Sequence, residues 1–359
     1  MKRTVSISVD QLYRRQPGGI GTYVRGLVQG LASLDGQFNV VGIGPRGAAA
    51  EEARSLPLRL NTVSVPLNVL TRLWPLVPLG VDRESLVVHA TSMAGPFAGG
   101  APESVHSVAM HDLLWRDEPQ MTTRRGMKFH EERLALIVRR EDLRVVTTSP
   151  TLADRLVPLG IAAERIHFAR LGVDDSGHVA ASGEAVVALL DAHGVTGAYT
   201  MYAGTREPRK NIARLITAHR EARRRRGELG QLVLVGPAGW GGVDTDDAVV
   251  LGSVERSMLL GLYRDAQVVA YVALAEGWGL PPVEALHAGT RVVASSVVPS
   301  VASNPHVIHV DPLDESSIGA GLLEALDQGT SDADRQSRRD SVADLTWRQA
   351  AIEHVASWR

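Results

Sequence analysis

Short apolar, β-branched runs alternate with longer helical patterns along nearly the whole chain, and this alternation constrains the fold more than any other feature. The runs fall at 4–10, 38–43, 86–91, 104–110 and 143–149, then at 199–204, 231–236, 248–252, 267–273, 291–295 and 306–311. Strands that alternate with helices predict parallel, doubly wound α/β sheets. The series pauses between Gly172 and Tyr199, where the text GVDDSGHVAASGEA is small and polar before a helical AVVALLDAHGV. That pause predicts the interdomain connection, and the second series has its own first strand from which to start a sheet. A length of 359 residues suits two such domains, expected at 1–175 and 176–345, with a terminal helical segment at 346–359.

Charge and composition exclude several classes. Lys and Arg total 38 against 40 Asp and Glu, so no global excess attracts nucleic acid or an anionic membrane, and a basic site must be local. With no cysteine there is no disulfide, thiolate metal site or cysteine nucleophile, which fits a reducing, cytoplasmic setting. Ser6, Ser8 and Asp10 break the first apolar run before it reads as a signal-peptide core. The apolar stretch 67–80 contains Arg72 and two prolines, so no membrane-spanning helix is expected. The twelve histidines form no ligand-spaced cluster, and metal independence is the expectation. The arginine run 223–226 ends a predicted helix, where cations suit the dipole and a solvated face is the favoured reading.

Three segments carry chemistry. After the first strand, Pro17-Gly18-Gly19-Ile20-Gly21 forms a glycine-rich turn into a helix, where backbone amides can approach a phosphate or sugar closely; a βα turn that binds nothing fits these residues equally well. In the second series, the strand ending at Gly204 runs into Thr205-Arg206-Glu207-Pro208-Arg209-Lys210-Asn211 and a helix. Three cations at a strand's carboxyl end oppose the helix dipole unless an anion sits there, so a diphosphate is favoured over an exposed turn. The third segment is Glu276-Gly277-Trp278-Gly279-Leu280-Pro281-Pro282-Val283-Glu284. Two acids enclose a glycine-bearing turn, and a proline near the first helical position places Glu284 in the opening turn. Glu284 there either caps amides or accepts ribose hydroxyl hydrogens, and Glu276 alone would read as a surface carboxylate. The amides of the turn can hold a leaving phosphate or sugar hydroxyls.

At these residues the chain resembles the retaining glycosyltransferases of the GT-B fold, the group called family 4. GTREPRKN, LVLVGPAGWGG and EGWGLPPVEALHAGTRVVAS carry the likeness in the second half; the family's two glutamates, separated by seven residues, match Glu276 and Glu284. PGGIGTYV, HATS, HDLLWRDEP, TTSPTLADRL and RLGVD (170–174) extend it through the first half. The resemblance implies two Rossmann-like domains facing across a cleft, with the C-terminal helix crossing back to the first and a hinge near 172–197. It implies a catalytic set of His111, Glu276, Lys210 and Arg209. It implies donor binding by Gly19, Gly204, Arg206, Arg209, Lys210, Gly277, Trp278, Gly279, Leu280 and Glu284, with Arg209 and Lys210 on the diphosphate and Glu284 on the ribose. Transfer would retain anomeric configuration by front-face attack without a protein nucleophile, with donor positioning and leaving-group stabilisation supplying the rate. The chain departs from the family at Thr205, where some members carry arginine, at Val298-Pro299-Ser300-Val301, where a Pro-Glu pair is usual, and before Glu276, where a Pro-Ser pair is common.

HDLLWRDEP with GTREPRKN looks most like mannosyltransferases of bacterial surface polysaccharides, so GDP-mannose is the favoured donor, with UDP- and dTDP-sugars behind it. The partners expected are a nucleotide-sugar and a glycan or lipid-linked acceptor, with no nucleic acid. The segment 67–80 and the predicted helix 121–142, bearing Arg124, Arg125, Lys128, Arg139 and Arg140, could together touch a lipid-linked acceptor at the inner membrane face. A packed helix with a charged outer face is the modestly favoured alternative. The competing functions are a non-catalytic nucleotide-sugar-binding protein and a GT-B epimerase; dehydrogenase chemistry is disfavoured because GGIGTY lacks the G-x-G-x-x-G pattern.

Overall fold

The computed structural model describes residues 2–47, 53–173, 178–240 and 242–359. The chain divides into two compact units, Met1–Gly172 with Leu345–Arg359, and Val173–Asp344. The boundary expected at 175/176, and Asp174 of the RLGVD motif, lie outside the described residues.

Unit 1 holds a seven-stranded sheet of β1 (Arg3–Ser8), β2 (Phe38–Pro45), β3 (Arg59–Val63), β4 (Val87–Ala90), β5 (Val105–Met110), β6 (Leu143–Thr147) and β7 (Ile166–Phe168), in the order β3-β2-β1-β4-β5-β6-β7. Every pairing is parallel. The crossovers include α1 (Gly18–Ala32), α2 (Leu67–Leu73), α3 (Leu114–Asp117), α4 (Arg124–Arg139) and α5 (Pro150–Leu156). Helices on both faces bury the central strands, so that Val5, Ile7, Val41, Ile43, Val108 and Val145 are fully buried. Unit 2 repeats the plan with β8 (Tyr199–Ala203), β9 (Gln231–Val235), β10 (Val249–Gly252), β11 (Val268–Tyr271), β12 (Val292–Ser295) and β13 (Val307–Val310), parallel in the order β10-β9-β8-β11-β12-β13. Its helices include α6 (Gly183–Ala192), α7 (Ile212–Arg225), α8 (Arg256–Asp265), α9 (Leu280–His287), α10 (Glu315–Asp327) and α11 (Asp332–Asp340). In both sheets the strand order reverses beside the first strand, between β1 and β4 and between β8 and β11. The crevice beyond the carboxyl ends of those strands is where ligands of open α/β sheets bind.

The last helix, α12 (Trp347–Ser357), belongs to unit 1 and packs on α1. Two glycines one turn apart, Gly26 and Gly30, clear the space on α1. A Cβ on Gly26 would lie 2.0 Å from the Trp347 ring, and one on Gly30 would lie 2.1 Å from the Trp347 carbonyl oxygen. Behind this contact runs a buried chain of polar groups. Tyr23 Oη lies 2.7 Å from His89 Nε2 and 2.9 Å from His354 Nε2; His89 Nδ1 is 2.8 Å from Ser107 Oγ, which accepts from Trp358 Nε1 at 3.0 Å. His354 Nδ1 lies 2.7 Å from the Ala350 carbonyl and must donate to it. With neutral rings the proton order is then fixed: Tyr23 donates to His354, His89 Nε2 donates to Tyr23, and Ser107 donates to His89.

Several local expectations are corrected. Strands β3 and β7 were absent from the apolar series because RLNTV is polar at alternate positions and mostly half-exposed, and because β7 has only three residues on an edge. The helix predicted at 121–142 spans Arg124–Arg139, with Thr123 capping its start and a separate 3₁₀ turn at Pro119–Met121. Helix α1 begins at Gly18, so the glycine-rich segment is its first turn and not a turn ahead of it.

Candidate active site

The two strands at the switch point of unit 2 each deliver half of one charged cluster. β8 ends at Ala203, and the loop after it brings Arg209 and Lys210; β11 ends at Tyr271, and the loop after it brings Glu276. Asn211 fastens the two loops: held at φ +60°, it donates from Nδ2 to the carbonyls of Val272 at 3.0 Å and Pro312 at 2.7 Å, while Leu274 N donates to the Arg209 carbonyl at 2.8 Å. In this frame Glu276 Oε1 accepts from Arg209 Nη1 at 2.8 Å, from Tyr271 Oη at 2.9 Å and from Lys210 Nζ. Lys210 Nζ also reaches Tyr271 Oη at 2.5 Å, and Arg209 Nε donates to Glu207 at 2.9 Å. Tyr271 stacks on Tyr202, ring centroids 6.0 Å apart and nearly coplanar, which fixes the phenol beside the carboxylate.

Glu276 is therefore not a surface carboxylate: its side chain is 9% exposed. Burial alone would raise its pKa, but Lys210 and Arg209 outweigh that and hold it below the ordinary carboxylate value, so it is ionised at neutral pH. Lys210 is buried as well, so the cations do not merely flank an exposed turn. Arg206 lies apart from this cluster and donates to the Gly236 carbonyl at 3.2 Å. Gly204 closes β8, its amide bonded to the Val235 carbonyl at 2.9 Å.

The turn after Glu276 is built for a backbone ligand. Gly279 is the N-cap of α9 at φ +95°, and a Cβ there would lie 2.4 Å from Val298 Cγ1, so no other residue fits without displacing its neighbours. No side chain caps α9, and because Pro281 and Pro282 have no N–H, its first turn offers another acceptor the positive end of the dipole and the amides of Leu280 and Val283 alone. The indole N–H of buried Trp278 has no partner among the described residues. Glu284 does not occupy the opening turn as predicted. It is the fifth residue of α9, because Leu280 and both prolines are already helical, and it caps nothing. Its two oxygens accept instead from Arg256 Nη1 at 2.6 Å and Tyr263 Oη at 2.9 Å. Tyr271, Asn211, Arg256 and Tyr263 were not singled out from the sequence. Asn211 is the last residue of GTREPRKN and Tyr271 stands just before the Glu276 motif, whereas Arg256 and Tyr263 sit on a helix whose spacing gives no hint of Glu284.

Unit 1 contains the other two predicted site residues. Gly19 is exposed in the first turn of α1, with nothing within 4 Å of a Cβ built there. His111 follows β5; its Nε2 is 2.8 Å from the Thr91 carbonyl and must donate to it, and its ring packs edge-on against Tyr23 at 4.9 Å. Burial lowers its pKa, so the neutral ring presents Nδ1 as an acceptor. His111 lines a cavity of about 1160 Å³ formed by α2, α4 and the loops after β1, β4 and β5. Among the described residues, no group of three or more His, Asp or Glu side chains is placed to hold a metal ion, and no helix is long and apolar enough to cross a membrane.

Known proteins share the fold and part of the sequence. Residues 197–328 match the family model described as glycosyl transferases group 1. The O-antigen chain mannosyltransferase B of Escherichia coli is 33% identical over 145 residues, a stretch that covers 36% of this chain and 36% of that protein. Among solved structures, sucrose-phosphate synthase from Thermosynechococcus elongatus superposes with a TM-score of 0.72 at 16% identity, covering 99% of this chain and 98% of its own. HepE of Anabaena, solved in complex with UDP and glucose, gives 0.71 at 16% identity with 99% of both chains covered. The structural likeness runs the length of the chain and establishes a GT-B-like fold of two Rossmann-like α/β units. Residues 197–328, which contain the Lys210–Glu276 cluster, are a group 1 glycosyltransferase domain within it.

Proposed function

We propose that the chain is a retaining, family 4 hexosyltransferase that moves mannose from GDP-mannose onto a glycan or lipid-linked acceptor in cell-surface polysaccharide or glycoconjugate synthesis. Unit 2 holds the donor and unit 1 receives the acceptor. The observation that carries this reading is the convergence of Arg209, Lys210, Tyr271 and Glu276 at the strand-order reversal of unit 2, beside an uncapped helix start. A diphosphate there would take the two cations and the Leu280 amide at the start of α9, where Pro281 and Pro282 donate nothing, and the unpartnered Trp278 N–H offers one further donor. Glu284, with both oxygens anchored, presents a fixed carboxylate for ribose hydroxyls. Mannose is favoured because the relative that is 33% identical is named a mannosyltransferase. The UDP and glucose held by HepE make UDP-glucose the main competitor. No step requires a metal, since Arg209 and Lys210 supply the charge that a metal would bring to the leaving group. We place the enzyme in the cytoplasm, where a chain without cysteine fits the reducing setting.

The test is a thermal-shift panel of GDP, UDP, dTDP and ADP with their sugars, on the wild type and Lys210→Ala, followed by transfer from the stabilising donor and assignment of the product anomer by NMR. One nucleotide should stabilise the wild type and lose that effect in Lys210→Ala. No shift with any nucleotide at millimolar concentration, or an inverted product, would overturn the reading.

A further inference from the structure

We propose that the cavity of unit 1 is an anion-binding acceptor site, that it takes a phosphate or diphosphate ester joined to an apolar stem, and that Arg133 is the group that fixes the anion. The inference rests on the transferase reading above and names the chemistry of its acceptor.

Arg133, on α4, is 7% exposed and lines the cavity. Its Nη2 donates to the Thr71 carbonyl at 2.5 Å, and its guanidinium carbon stands 5.0 Å from the centre of the Phe129 ring. Its Nε has no partner, and no carboxylate among the described residues lies within 4.0 Å of it. A buried charge held only by a carbonyl and a ring face is costly, and a fold keeps one where something else completes it. The rest of the wall has the same sign. Arg14, Arg72, Arg125 and Lys128 line the cavity with Arg133, against only Asp112 and Glu132. A planar guanidinium recognises phosphate oxygens better than neutral sugar hydroxyls, and here it would do so through its terminal nitrogens, since Nε is sealed from the cavity.

The space exceeds what the anion needs. Leu67, Met93, Phe129 and Leu136 supply an apolar wall to a cavity of about 1160 Å³. The segment that carries Leu67 also exposes Val69, Leu76 (76% exposed) and Val77, which do not line the cavity. An anion set against an apolar wall is the complement of an amphipathic phosphate ester. His111, with Nδ1 free to accept a hydrogen, stands on the same wall.

The experiment is isothermal titration of the full-length chain with farnesyl diphosphate, inorganic diphosphate and farnesol. The variants are Arg133→Gln, the exposed pair Arg125→Gln with Lys128→Gln, and Lys210→Ala. Farnesyl diphosphate should bind more tightly than either half-molecule and lose about tenfold or more in Arg133→Gln. Because Arg133 also holds the Thr71 carbonyl, the exposed pair serves as the second readout: it should weaken binding several-fold with an unchanged Tm. GDP affinity should be the same in all the unit 1 variants. Farnesyl diphosphate binding that survives both unit 1 changes, or that falls only in Lys210→Ala, would overturn the proposal by placing the anion elsewhere. Equal, Arg133-dependent affinity for inorganic diphosphate would overturn the apolar stem and assign the site to a soluble phosphate. Arg133-dependent binding in a chain that binds no nucleotide would sustain the anion site and sink the transferase reading instead.

Discussion

Tyr23 Oη and His354 Nε2 lie 2.9 Å apart in the interior of unit 1, and with neutral rings the tyrosine is the donor of that bond. A proton added to His354 Nε2 removes the only acceptor that the Tyr23 hydroxyl hydrogen has in the chain of bonds. Burial, with the neighbouring His111 adding to it, lowers the His354 pKa from 6.5 to about 4, and burial likewise pushes that of His89 well below its usual value. The unfolded chain therefore binds protons that the folded chain refuses. The stability from His354 is complete above pH 6.5 and is lost as pH falls towards 4, amounting to about 3 kcal/mol over that window. Urea unfolding of the wild type between pH 7.5 and roughly 4.5 should show the loss, and His354→Gln should flatten it. An equal slope in the variant would remove His354 as its source.

Glu276→Gln should separate binding from transfer. The substitution keeps an oxygen for Tyr271 but removes the charge that now occupies Lys210 and Arg209. Loss of one partner from a buried ion cluster costs about 3 kcal/mol, so Tm should fall by several degrees. GDP should bind as well as to the wild type or better, because the two cations lose their internal competitor, while transfer should drop about 100-fold. Weaker GDP binding with unchanged transfer would show that the carboxylate only organises the loop.

Both sheets are legible in the sequence because parallel strands covered on two faces are largely apolar, a rule that 232–235 and 268–271 obey; β1 instead alternates Val5 and Ile7 with buried Ser6 and Ser8, whose hydroxyls bond to Ser85 and Thr91. The edge strand β3 escapes it, since an edge with half-exposed residues carries polar Asn61 and Thr62 at no cost. The cations of 206–210 are legible as a group because their charge opposes the dipole of the helix that follows. Their sorting is not: Lys210 and Arg209 turn to Glu276 while Arg206 turns to the Gly236 carbonyl, and that depends on the neighbouring strand. Glu284 shows the other limit. Two prolines in α9 made its start look later than it is, and its partners Arg256 and Tyr263 come from a helix whose approach only the tertiary fold sets. Arg133 looks like one more charge on an amphipathic helix until its burial is known.

Gly19 and Gly26 lie one above the other in the same helix and should respond in opposite ways to alanine. At Gly26 the new methyl would overlap the Trp347 ring, separating α12 from α1 and destabilising unit 1 by about 3 kcal/mol. At Gly19 the methyl meets nothing within 4 Å, and replacing a helical glycine favours the fold slightly. Gly19→Ala should therefore keep or raise Tm. If the first turn of α1 approaches substrate as the family resemblance implies, its kcat/KM should nevertheless fall about tenfold or more. A Gly19→Ala enzyme with full activity would confine the role of that glycine to the turn.

Tyr271→Phe isolates the contribution of a single hydroxyl to the unit 2 cluster. The ring stays stacked on Tyr202, so its packing is preserved. What is lost is the donor to Glu276 and the acceptor for Lys210, both inside a buried site. Each remaining partner still has another, since Glu276 keeps Arg209 and Lys210, so the fold should lose only about 1 kcal/mol. The lysine, released from the phenol, becomes more mobile where a diphosphate is proposed to bind. GDP affinity should fall several-fold with little change in Tm, and the donor KM should rise more than kcat falls. A kcat loss of about 100-fold at unchanged KM would instead place the Tyr271 hydroxyl in direct contact with the reacting sugar.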